Sequence, residues 1–332
     1  MAAEISVSDV ADGSGWDARL RAHRDANIFC ATAWGSYKAR LGARVRRAVV
    51  QADGHDLALV QWQERRVGPG RFVLVQGGPV LTDRGRGRAE AVLGALLAHL
   101  ALGRLDLLGI RYEGFECPEA TLALLMHGFA PVVAAKNHTL ALDLTPDLDA
   151  ILARTERRWR KALRKAEGNP DLTTHFLTDR GERLAAFDAF SAMYAALQQR
   201  KGFSSSLNPE HYRDLAADDD SLLFLDVREG GERVLVRIAH LSAERCTDFF
   251  TASNERARVT SAAGLAVWRI VERAKAEGCR VFDHGGIDPR GNRNVFEFKR
   301  GLCETVVQTN PLWLHGRSPA LRAAAGALLA TR

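Results

Sequence analysis

The sequence is short of the features on which disulfide-rich, zinc-stapled and membrane proteins rely. Its 332 residues include five cysteines, an odd number with no CxxC pair, which argues against a disulfide framework and a zinc ribbon. The longest apolar run, Ala91 to Gly103, has 13 residues and falls below the roughly 20 that a membrane-spanning helix needs. The polar, acidic N-terminus predicts no secretory signal. We therefore expect a cytoplasmic chain with reduced thiols and no transmembrane segment.

Common catalytic signatures are also missing. The sequence contains no GxxxxGK phosphate loop, no HExxH pair and no GxSxG elbow. None of the ten histidines forms a metal-binding pair at helical spacing. We therefore expect neither a metal site nor a bound cofactor.

The remaining composition is that of a globular protein with about two domains. Hydrophobic residues make up 46% and charged residues 26% of the sequence, which excludes a wholly disordered, collagenous or coiled-coil chain. A length of 332 residues suits two domains at about 100–200 residues each.

The two halves of the sequence share one order of elements: a hairpin, a third strand, a long helix and a further strand. In the first half the patterns predict these elements at Val45–Gln51, Leu57–Gln63, Arg71–Gln76, Arg88–Leu102 and Leu105–Tyr112. In the second half they predict them at Leu222–Val227, Arg233–Leu241, Cys246–Ala252, Ser261–Ala276 and Arg280–Asp283. Because a helix that joins two parallel strands packs back on their sheet, the repeat predicts a mixed α/β fold built from two copies of one unit. We place the domains at residues 1–145 and 146–332.

The formal net charge of +6 has one main source. The segment Arg154 to Lys165 carries seven basic residues and one acid, and it opens the second domain as a predicted helix over residues 152–166. Like charges at this density repel one another, and a polyanion would relieve that repulsion. The segment predicts either a polyanion surface or a solvated helix face. The residues of the candidate surface are Arg157, Arg158, Lys161, Arg164 and Lys165.

Two loops resemble the pyrophosphate-binding signature of GNAT acyltransferases, Q/R-x-x-G-x-G/A, which precedes a helix. Arg258 to Ala263 lies before the long helix of the second half, but Ser261 occupies the first glycine position. Thr82 to Gly87 stands at the same place in the first half, and its Gly/Arg content suits a turn equally well. Because helix N-termini attract anions, an acyl-CoA donor remains an alternative.

The segment Val281 to Leu302, VFDHGGIDPRGNRNVFEFKRGL, resembles a motif of the FemABX family, the peptidoglycan-bridge aminoacyltransferases. In that family a strand of the type (F/Y)-D-x-G-G is followed by a Phe-Lys pair and Gly. Shorter matches follow the family order at Thr32 to Lys38, Gln76 to Val80, Arg158 to Ala166, Gln199 to Phe203, and Tyr212. The sequence departs from the family in lacking a coiled-coil arm. It also has Arg111-Tyr112-Glu113-Gly114 where an acid followed by Pro is expected.

The resemblance implies two tandem GNAT-like domains that move an aminoacyl group from an aminoacyl-tRNA to an amine of a peptidoglycan precursor or related acceptor. It implies catalytic roles for Lys299, Asp283 and Glu113. It implies substrate contacts, including phosphates of a nucleotide-linked acceptor, for Lys38, Trp34, Arg200, Tyr212, Phe298 and Arg293. The basic helix would then meet tRNA.

Plainer alternatives exist for these assignments. Lys38 and Arg200 also suit ordinary surface positions, Phe298 suits a core position, and Asp283 suits a role in holding the turn at Gly285. An acyl-CoA-dependent N-acyltransferase acting on a small amine or polysaccharide component is one competing function. A non-catalytic RNA-binding protein is another. We expect a monomer.

Overall fold

A computed structural model describes residues 4–11, 13–113, 117–132, 138–201 and 209–330. Gly114, and Gly202 and Phe203 of the Gln199 to Phe203 match, lie outside the described residues. The chain divides into two compact units, the first formed by residues 1–137 with 308–332 and the second by residues 138–307. None of the described helices is long and apolar enough to cross a membrane.

The strands of the described residues belong to two sheets. In chain order they are β1 (Ile5–Asp9), β2 (Arg44–Ala52), β3 (His55–Val67), β4 (Gly70–Gly77), β5 (Val80–Leu81), β6 (Leu107–Tyr112), β7 (Ala130–Val132), β8 (His138–Asp143), β9 (Leu172–Leu177), β10 (Leu222–Glu229), β11 (Glu232–Leu241), β12 (Arg245–Ser253), β13 (Val281–Gly286), β14 (Val306–Gln308) and β15 (Leu312–His315).

The helices pack on these sheets or connect their strands. In chain order they are α1 (Trp16–Arg21), α2 (Thr32–Arg40), α3 (Asp83–Arg86), α4 (Ala89–Leu100), α5 (Pro118–Met126), α6 (Leu148–Arg154), α7 (Arg157–Glu167), α8 (Arg180–Lys201), α9 (Arg213–Asp218), α10 (Glu255–Val259), α11 (Ala262–Ala276), α12 (Arg293–Leu302) and α13 (Pro319–Ala330). Short 3-10 helices cover Ile28–Cys30 and Pro209–Tyr212.

The two sheets share the plan that the sequence predicts. The first runs in the order β1-β2-β3-β4-β6-β15-β7, and the second in the order β14-β8-β13-β12-β11-β10-β9. In each, an antiparallel meander ends in one parallel pair, β4 with β6 and β12 with β13. A long buried helix precedes the second strand of that pair, α4 in the first unit and α11 in the second. The prediction of a mixed α/β fold in two copies is confirmed.

Similar tight turns connect the two strands of the hairpin in each copy. Asp53 and Gly54 join β2 to β3 with φ values of 52° and 74°, and Gly230 and Gly231 join β10 to β11 with φ values of 56° and 88°. Two successive residues with positive φ match the right-handed twist of a tight hairpin and favour glycine. The Asp-Gly and Gly-Gly pairs therefore fix the register of the two hairpins.

The domain boundaries differ from the expected division at residue 145. β8 ends at Asp143 and pairs with β13, so the second unit begins before the expected boundary. Residues 308–332, expected in the second domain, lie in the first unit instead, because β15 pairs with β6 on one side and β7 on the other. In each sheet, the strand that pairs with the outer strand of the parallel pair does not belong to the repeated order of elements: it is β15 in the first sheet and β8 in the second. Sequence patterns within one repeat do not indicate this pairing.

The basic helix predicted over residues 152–166 is in fact two helices. α6 ends at Arg154, Thr155 is extended, with φ −69° and ψ 159°, and α7 begins at Arg157. The Arg160 side chain folds back and donates to the carbonyls of Ala153, at 2.9 Å, and Thr155. Arg160 therefore satisfies the carbonyl groups at the end of α6 and is not part of the exposed basic face.

An apolar stripe holds α7 against the second unit. Trp159, Leu163 and Ala166, at i, i+4 and i+7, are buried, which is the spacing of one helix face. Gly301 of α12 lies against this stripe, and a Cβ at that position would come within 3.2 Å of the Trp159 ring. The glycine that follows the Phe-Lys pair thus allows α12 to approach α7 closely.

Removing residues 309–332 takes away β15 and with it Trp313 and Leu314, which are 6% and 1% exposed. We expect the first unit to lose its cooperative unfolding transition, because these two side chains together stabilise it by on the order of 5 kcal/mol, comparable to the stability of a whole domain. Removing only residues 319–332 deletes α13, in which no described residue is buried, and should lower the melting temperature by only a few degrees, ~5 °C or less. Circular dichroism melts of both truncations measure the contrast, and equal losses would contradict it.

Candidate active site

The parallel strands of the second unit separate partway along their length. β12 and β13 pair at Arg245 with Val281, Cys246 with Phe282, and Thr247 with Asp283, and their pairing stops there. In the first unit, by contrast, β4 and β6 pair over six successive positions, from Phe72 with Leu107 to Gly77 with Tyr112. The second unit therefore has an opening between its parallel strands, at the place where the first unit has a continuous sheet.

A cavity of about 870 Å³ occupies this opening. Its walls come from β11, the ends of β12 and β13, the C-terminal part of α8, α12 and the region around α10. Among the residues that line it are Arg200, Arg237, Asp248, Phe249, Phe250, His284, Gly285, Gly286, Phe298 and Lys299. The cavity is large enough for a small-molecule substrate, and three of the residues that the sequence singles out, Arg200, Phe298 and Lys299, line it together.

A buried ion pair forms one wall of the cavity. Arg237 on β11 donates to Asp248 on β12 through two parallel bonds, Nε to Oδ1 at 2.9 Å and Nη2 to Oδ2 at 2.7 Å. Their side chains are 4% and 10% exposed. A bidentate pair of this kind holds both groups in one orientation. The pair therefore presents fixed charge to the cavity.

A β-bulge brings this pair together. The pairing of β11 with β12 shifts between Ile238 and Ala239, so that Phe250 pairs with Ile238 while Asp248 pairs with Ala239. Phe249 is the extra residue of this bulge. In a regular strand Asp248 and Thr251 would face opposite sides, because they are three positions apart. In the bulged strand Asp248 lies beside both Thr251 and Arg237, and the Thr251 hydroxyl is 3.5 Å from the Asp248 carboxylate.

Lys299 lies at the mouth of the strand opening. Its Nζ donates to the carbonyls of Gly286, at 3.0 Å, and Gly285, at 3.3 Å. Burial lowers the pKa of Lys299 from its ordinary value, the charge of Arg237 lowers it further, and Asp248 and Asp283 oppose the shift. The ammonium group is thus a hydrogen-bond donor held in a partly buried site, where its charge acts more strongly than in water.

Asp283 supports the turn at Gly285 and Gly286, whose carbonyls accept hydrogen bonds from Lys299. The Asp283 side chain is buried, and its Oδ1 accepts from the Thr139 hydroxyl at 2.5 Å and from the Gly285 N–H at 2.9 Å. Burial raises its pKa above the ordinary value, against these hydrogen bonds. Gly285 has φ +69°, and a Cβ there would lie 3.0 Å from the Asp248 carbonyl oxygen. These contacts hold the turn at Gly285, as the plainer alternative expects, and the catalytic role of Asp283 stays a prediction.

The other predicted substrate residues of this unit lie around the cavity. Arg200 forms an exposed ion pair with Glu255 at 2.7 Å. The Tyr212 ring packs on the Phe250 ring, with centroids 5.3 Å apart. Arg293 is exposed and lines the adjoining cavity described next. Phe298 contacts the hydrophobic core of the unit and lines both cavities.

A second cavity of about 620 Å³ shares Ala257, Arg258, Ala263, Asn294 and Phe298 with the first. The N-terminus of α11 opens onto it, with Ser261 in the left-handed region at φ 62° and no side-chain hydrogen bond capping the helix. The cavity is also lined by four arginines, namely Arg158, Arg258, Arg293 and Arg300. Uncapped N–H groups and arginines together favour an anion. Glu297 pairs with Arg300 at 2.8 Å and offsets part of this charge.

The cations of α7 continue this positive surface, from Arg158 in the lining of the second cavity to Arg157, Lys161 and Arg164 outside it. Arg157, Arg158, Lys161 and Arg164 are all exposed, and none of them forms an ion pair with a carboxylate of the described residues, whereas Lys165 donates to the Val259 carbonyl at 2.9 Å. The buried stripe of α7 faces the opposite way. The basic residues of the sequence motif are therefore presented to solvent.

The remaining predicted residues belong to the first unit. Lys38 lies over the rings of Trp34 and Tyr37, with Nζ 4.7 and 4.8 Å from the ring centroids, and burial lowers its pKa. Trp34 and Lys38 line one small cavity. Glu113 follows the end of β6, where its charge helps to raise the pKa of the buried Cys30 thiol, which burial raises first.

Sequence reasoning missed Arg237, Asp248 and His284. Arg237 stands inside an otherwise apolar strand, VLVRIA, and Asp248 follows in the next strand. A single charged residue in a buried strand needs a partner of opposite charge. That requirement is the sequence signal that could have indicated the pair of Arg237 and Asp248. His284 occupies the variable position of the Asp-x-Gly-Gly segment, where the motif itself places no requirement on the residue type.

Replacing Arg237 with Leu leaves the Asp248 carboxylate unpaired in the cavity wall. We expect the free energy of unfolding to fall by about 3–5 kcal/mol, the usual cost of removing one partner of a buried pair. The double variant Arg237→Leu/Asp248→Leu should recover most of that loss, because no buried charge remains. Urea unfolding at neutral pH gives both values, and a double variant no more stable than the single one would contradict the prediction.

Comparisons with known proteins agree with this architecture. Residues 153–300 match the family described as an acetyltransferase (GNAT) domain. No curated protein sequence matches the chain at a significant level. The fold is similar to that of FemX, at 14% identity and a TM-score of 0.80, over 97% of this chain and 100% of that chain.

Two further solved structures share the fold more distantly. One is the C-terminal domain of a candidate lysylphosphatidylglycerol synthetase from Agrobacterium fabrum, at 16% identity and a TM-score of 0.56, over 96% of both chains. The other is a tandem GNAT protein from the clavulanic acid biosynthesis pathway, at 13% identity and a TM-score of 0.50, over 95% of this chain and 99% of that chain. Residues 153–300 therefore match the GNAT acetyltransferase family model, and the chain has a tandem GNAT fold similar to that of FemX.

Proposed function

We propose that this chain is an aminoacyltransferase that moves an aminoacyl group from an aminoacyl-tRNA to an amine of a peptidoglycan precursor or a related acceptor. In this reaction the amine nitrogen bonds to the ester carbonyl carbon and loses a proton. The bond from that carbon to the ribose oxygen breaks, its electron pair stays on the oxygen, and the oxygen takes up a proton to become the free ribose hydroxyl. The observation that carries the proposal is a cavity of about 870 Å³ that adjoins a second, arginine-lined cavity and the exposed cations of α7 within the second unit.

The Lys299 ammonium suits the chemical step. Attack on an ester places negative charge on the carbonyl oxygen, and a fixed donor at that oxygen stabilises the transition state. Lys299 is held by two backbone carbonyls at the opening between β12 and β13. A substrate oxygen can accept the third hydrogen of this ammonium group, because the two carbonyls accept only two of its three.

The charge distribution favours a nucleic acid as the donor carrier. Arg157, Lys161 and Arg164 lie at i, i+4 and i+7 of α7, so they follow one side of the helix. They lie outside the residues that line the second cavity, whose arginine Arg158 is their neighbour in sequence. A strand of phosphates that ends at the cavity and continues along α7 accounts for both sets of charges.

Arg200, at the cavity of the second unit, suits a phosphorylated acceptor. Arg200 is held by Glu255 in an exposed ion pair, and such pairs contribute little stability, so a phosphate can take the place of the carboxylate. In the first unit, described by itself, Lys38 is a cation that lies over two aromatic rings. These two assignments follow the family resemblance.

An acyl-CoA donor is the second candidate, and one observation favours it. The uncapped N-terminus of α11 follows the segment Arg258 to Ala263, at the place where the GNAT signature occurs. Ser261 replaces the glycine of that signature and already has the positive φ that glycine would adopt, but its side chain occupies space next to the helix end. Coenzyme A alone does not account for the cations of α7.

The proposal is tested by incubating the protein with a panel of charged tRNAs, with acetyl-CoA in parallel, and with a nucleotide-linked peptidoglycan precursor as acceptor. Mass spectrometry of the acceptor should show an added aminoacyl group that depends on the charged tRNA. Transfer from acetyl-CoA alone would support the second candidate. No product from any donor, with folded protein, would overturn both.

Lys299→Met should lower kcat by about 100–1000-fold with little change in KM, because the lost donor acts on the charge that develops in the transition state. Lys299→Arg should retain part of the activity, because it keeps the positive charge. Lys275→Met is the matched control, since Lys275 also donates to a backbone carbonyl, that of Leu144 at 2.7 Å, but does not line the cavity. Equal loss of activity in the Lys299 and Lys275 variants would contradict the assignment.

Neutralising α7 should weaken tRNA binding and its salt dependence. The triple variant with Arg157, Lys161 and Arg164 changed to Gln should reduce the slope of log K against log salt by roughly 2, because each neutralised phosphate of a single strand adds about 0.7 to that slope. The control changes the same amount of charge at Arg180, Arg213 and Arg273, exposed arginines already paired with acids. Filter binding at several salt concentrations compares the two, and identical slopes would show that α7 is only a solvated face.

A further inference from the structure

The cavity of the second unit contains a buried imidazole without a hydrogen-bond partner. His284 is 1% exposed and lines the opening between β12 and β13. Neither of its ring nitrogens has a partner among the described residues. Its ring contacts the Phe282 ring edge-on, with centroids 4.9 Å apart. The polar imidazole ring therefore packs against an apolar ring, and its two nitrogens make no hydrogen bond with the described residues.

Such an arrangement opposes folding unless a ligand completes it. Buried donors and acceptors are nearly always paired, because an unpaired one loses its bonds to water and gains nothing in return. An aromatic hydrocarbon ring of similar size at position 284 would pack against Phe282 without that cost. The polar ring is thus explained by a group that enters the cavity and bonds to it.

The surrounding charges define the form in which the imidazole acts. The charged groups whose fields act on it are the Arg237 guanidinium, paired with Asp248 on the neighbouring strands, and the Lys299 ammonium on α12. Burial, and then these two cations, hold the pKa of His284 well below its ordinary value. The ring is neutral, with one N–H and one nitrogen lone pair. A ring that binds a proton so weakly is a poor general base but an effective hydrogen-bond acceptor.

We propose that His284 recognises the α-amino group of the aminoacyl donor by accepting a hydrogen bond from it in the cavity. The inference rests on the proposed function and specifies its donor class. An α-amino group lies one carbon from the ester carbonyl, so a carbonyl oxygen at Lys299 brings it into the cavity that His284 lines. An acetyl group has no donor at that place, and its binding would leave His284 unpaired. His284 is therefore the residue that favours aminoacyl over simple acyl groups.

The test uses two stable donor mimics that differ only in the group concerned. Both are 3′-amino-3′-deoxyadenosine amides, one carrying alanine and the other carrying propionic acid. Isothermal titration calorimetry measures their affinity for the wild-type protein and for His284→Phe. We expect the wild type to prefer the alanyl mimic by about tenfold, the ratio that one good hydrogen bond provides, and His284→Phe to bind the two mimics equally. His284→Leu provides the same comparison if the larger ring does not fit.

The outcomes separate this inference from the proposed function. Equal binding of the mimics by the wild type, or an unchanged preference in His284→Phe, overturns the role of His284 and leaves the donor class standing. Failure of both mimics to bind overturns the aminoacyl-adenosine donor and the inference with it.

Thermal melting gives a second readout that a structural histidine would not reproduce. If His284 is kept for a ligand, His284→Phe should melt at the same temperature as the wild type or a few degrees higher, ~5 °C at most, since an unpartnered polar ring is removed. A fall in melting temperature together with equal losses in affinity for both mimics would show that the residue only supports the fold.

Discussion

The site depends on the paired charges of Arg237 and Asp248. An arginine in a buried strand requires a carboxylate, and the carboxylate reaches it only because Phe249 is bulged out of β12. The bulge interrupts the regular course of β12 just after the last residue that pairs with β13. The bulge that pairs Arg237 with Asp248 therefore lies where the parallel strands separate. The cavity, Lys299 and His284 all lie at that separation.

The comparison between the two copies shows what the separation adds. The first unit has the same meander and the same parallel pair, but there β4 and β6 remain joined to their ends. Its polar candidates, Lys38 and Glu113, lie on α2 and after the end of β6, and Glu113 is not among the residues that line the small cavity of Lys38. A duplicated fold has thus kept one copy with an open sheet, suited to a substrate, and one with a closed sheet.

Much of this architecture could be predicted from the sequence because it follows local rules. The Asp53-Gly54 and Gly230-Gly231 turns indicate hairpins, and apolar spacing indicates α4 and α11. The Phe-Lys pair after Asp-x-Gly-Gly led to Lys299. β8 and β15 could not be placed, because short apolar strands do not indicate which distant edge they join. Arg237 and Asp248 required knowledge of the bulge, which shifts the register by one residue and changes which side chains meet. The charge of the basic helix is visible in the sequence, but the break at Thr155 depends on the Arg160 side chain and is not visible in the pattern of charges.

The return of β15 to the first sheet has a consequence for the order of folding. During synthesis every residue of the second unit, 138–307, leaves the ribosome before β15 does. The second sheet can close as soon as its own residues are available, whereas the first, although begun earlier, keeps an unpaired edge on β6 until the last strand arrives. Exposed edges of this kind are sites of misassociation. The half of the protein that is made first is therefore the half that is finished last, and protection of β6 during that interval is a separate requirement on this chain.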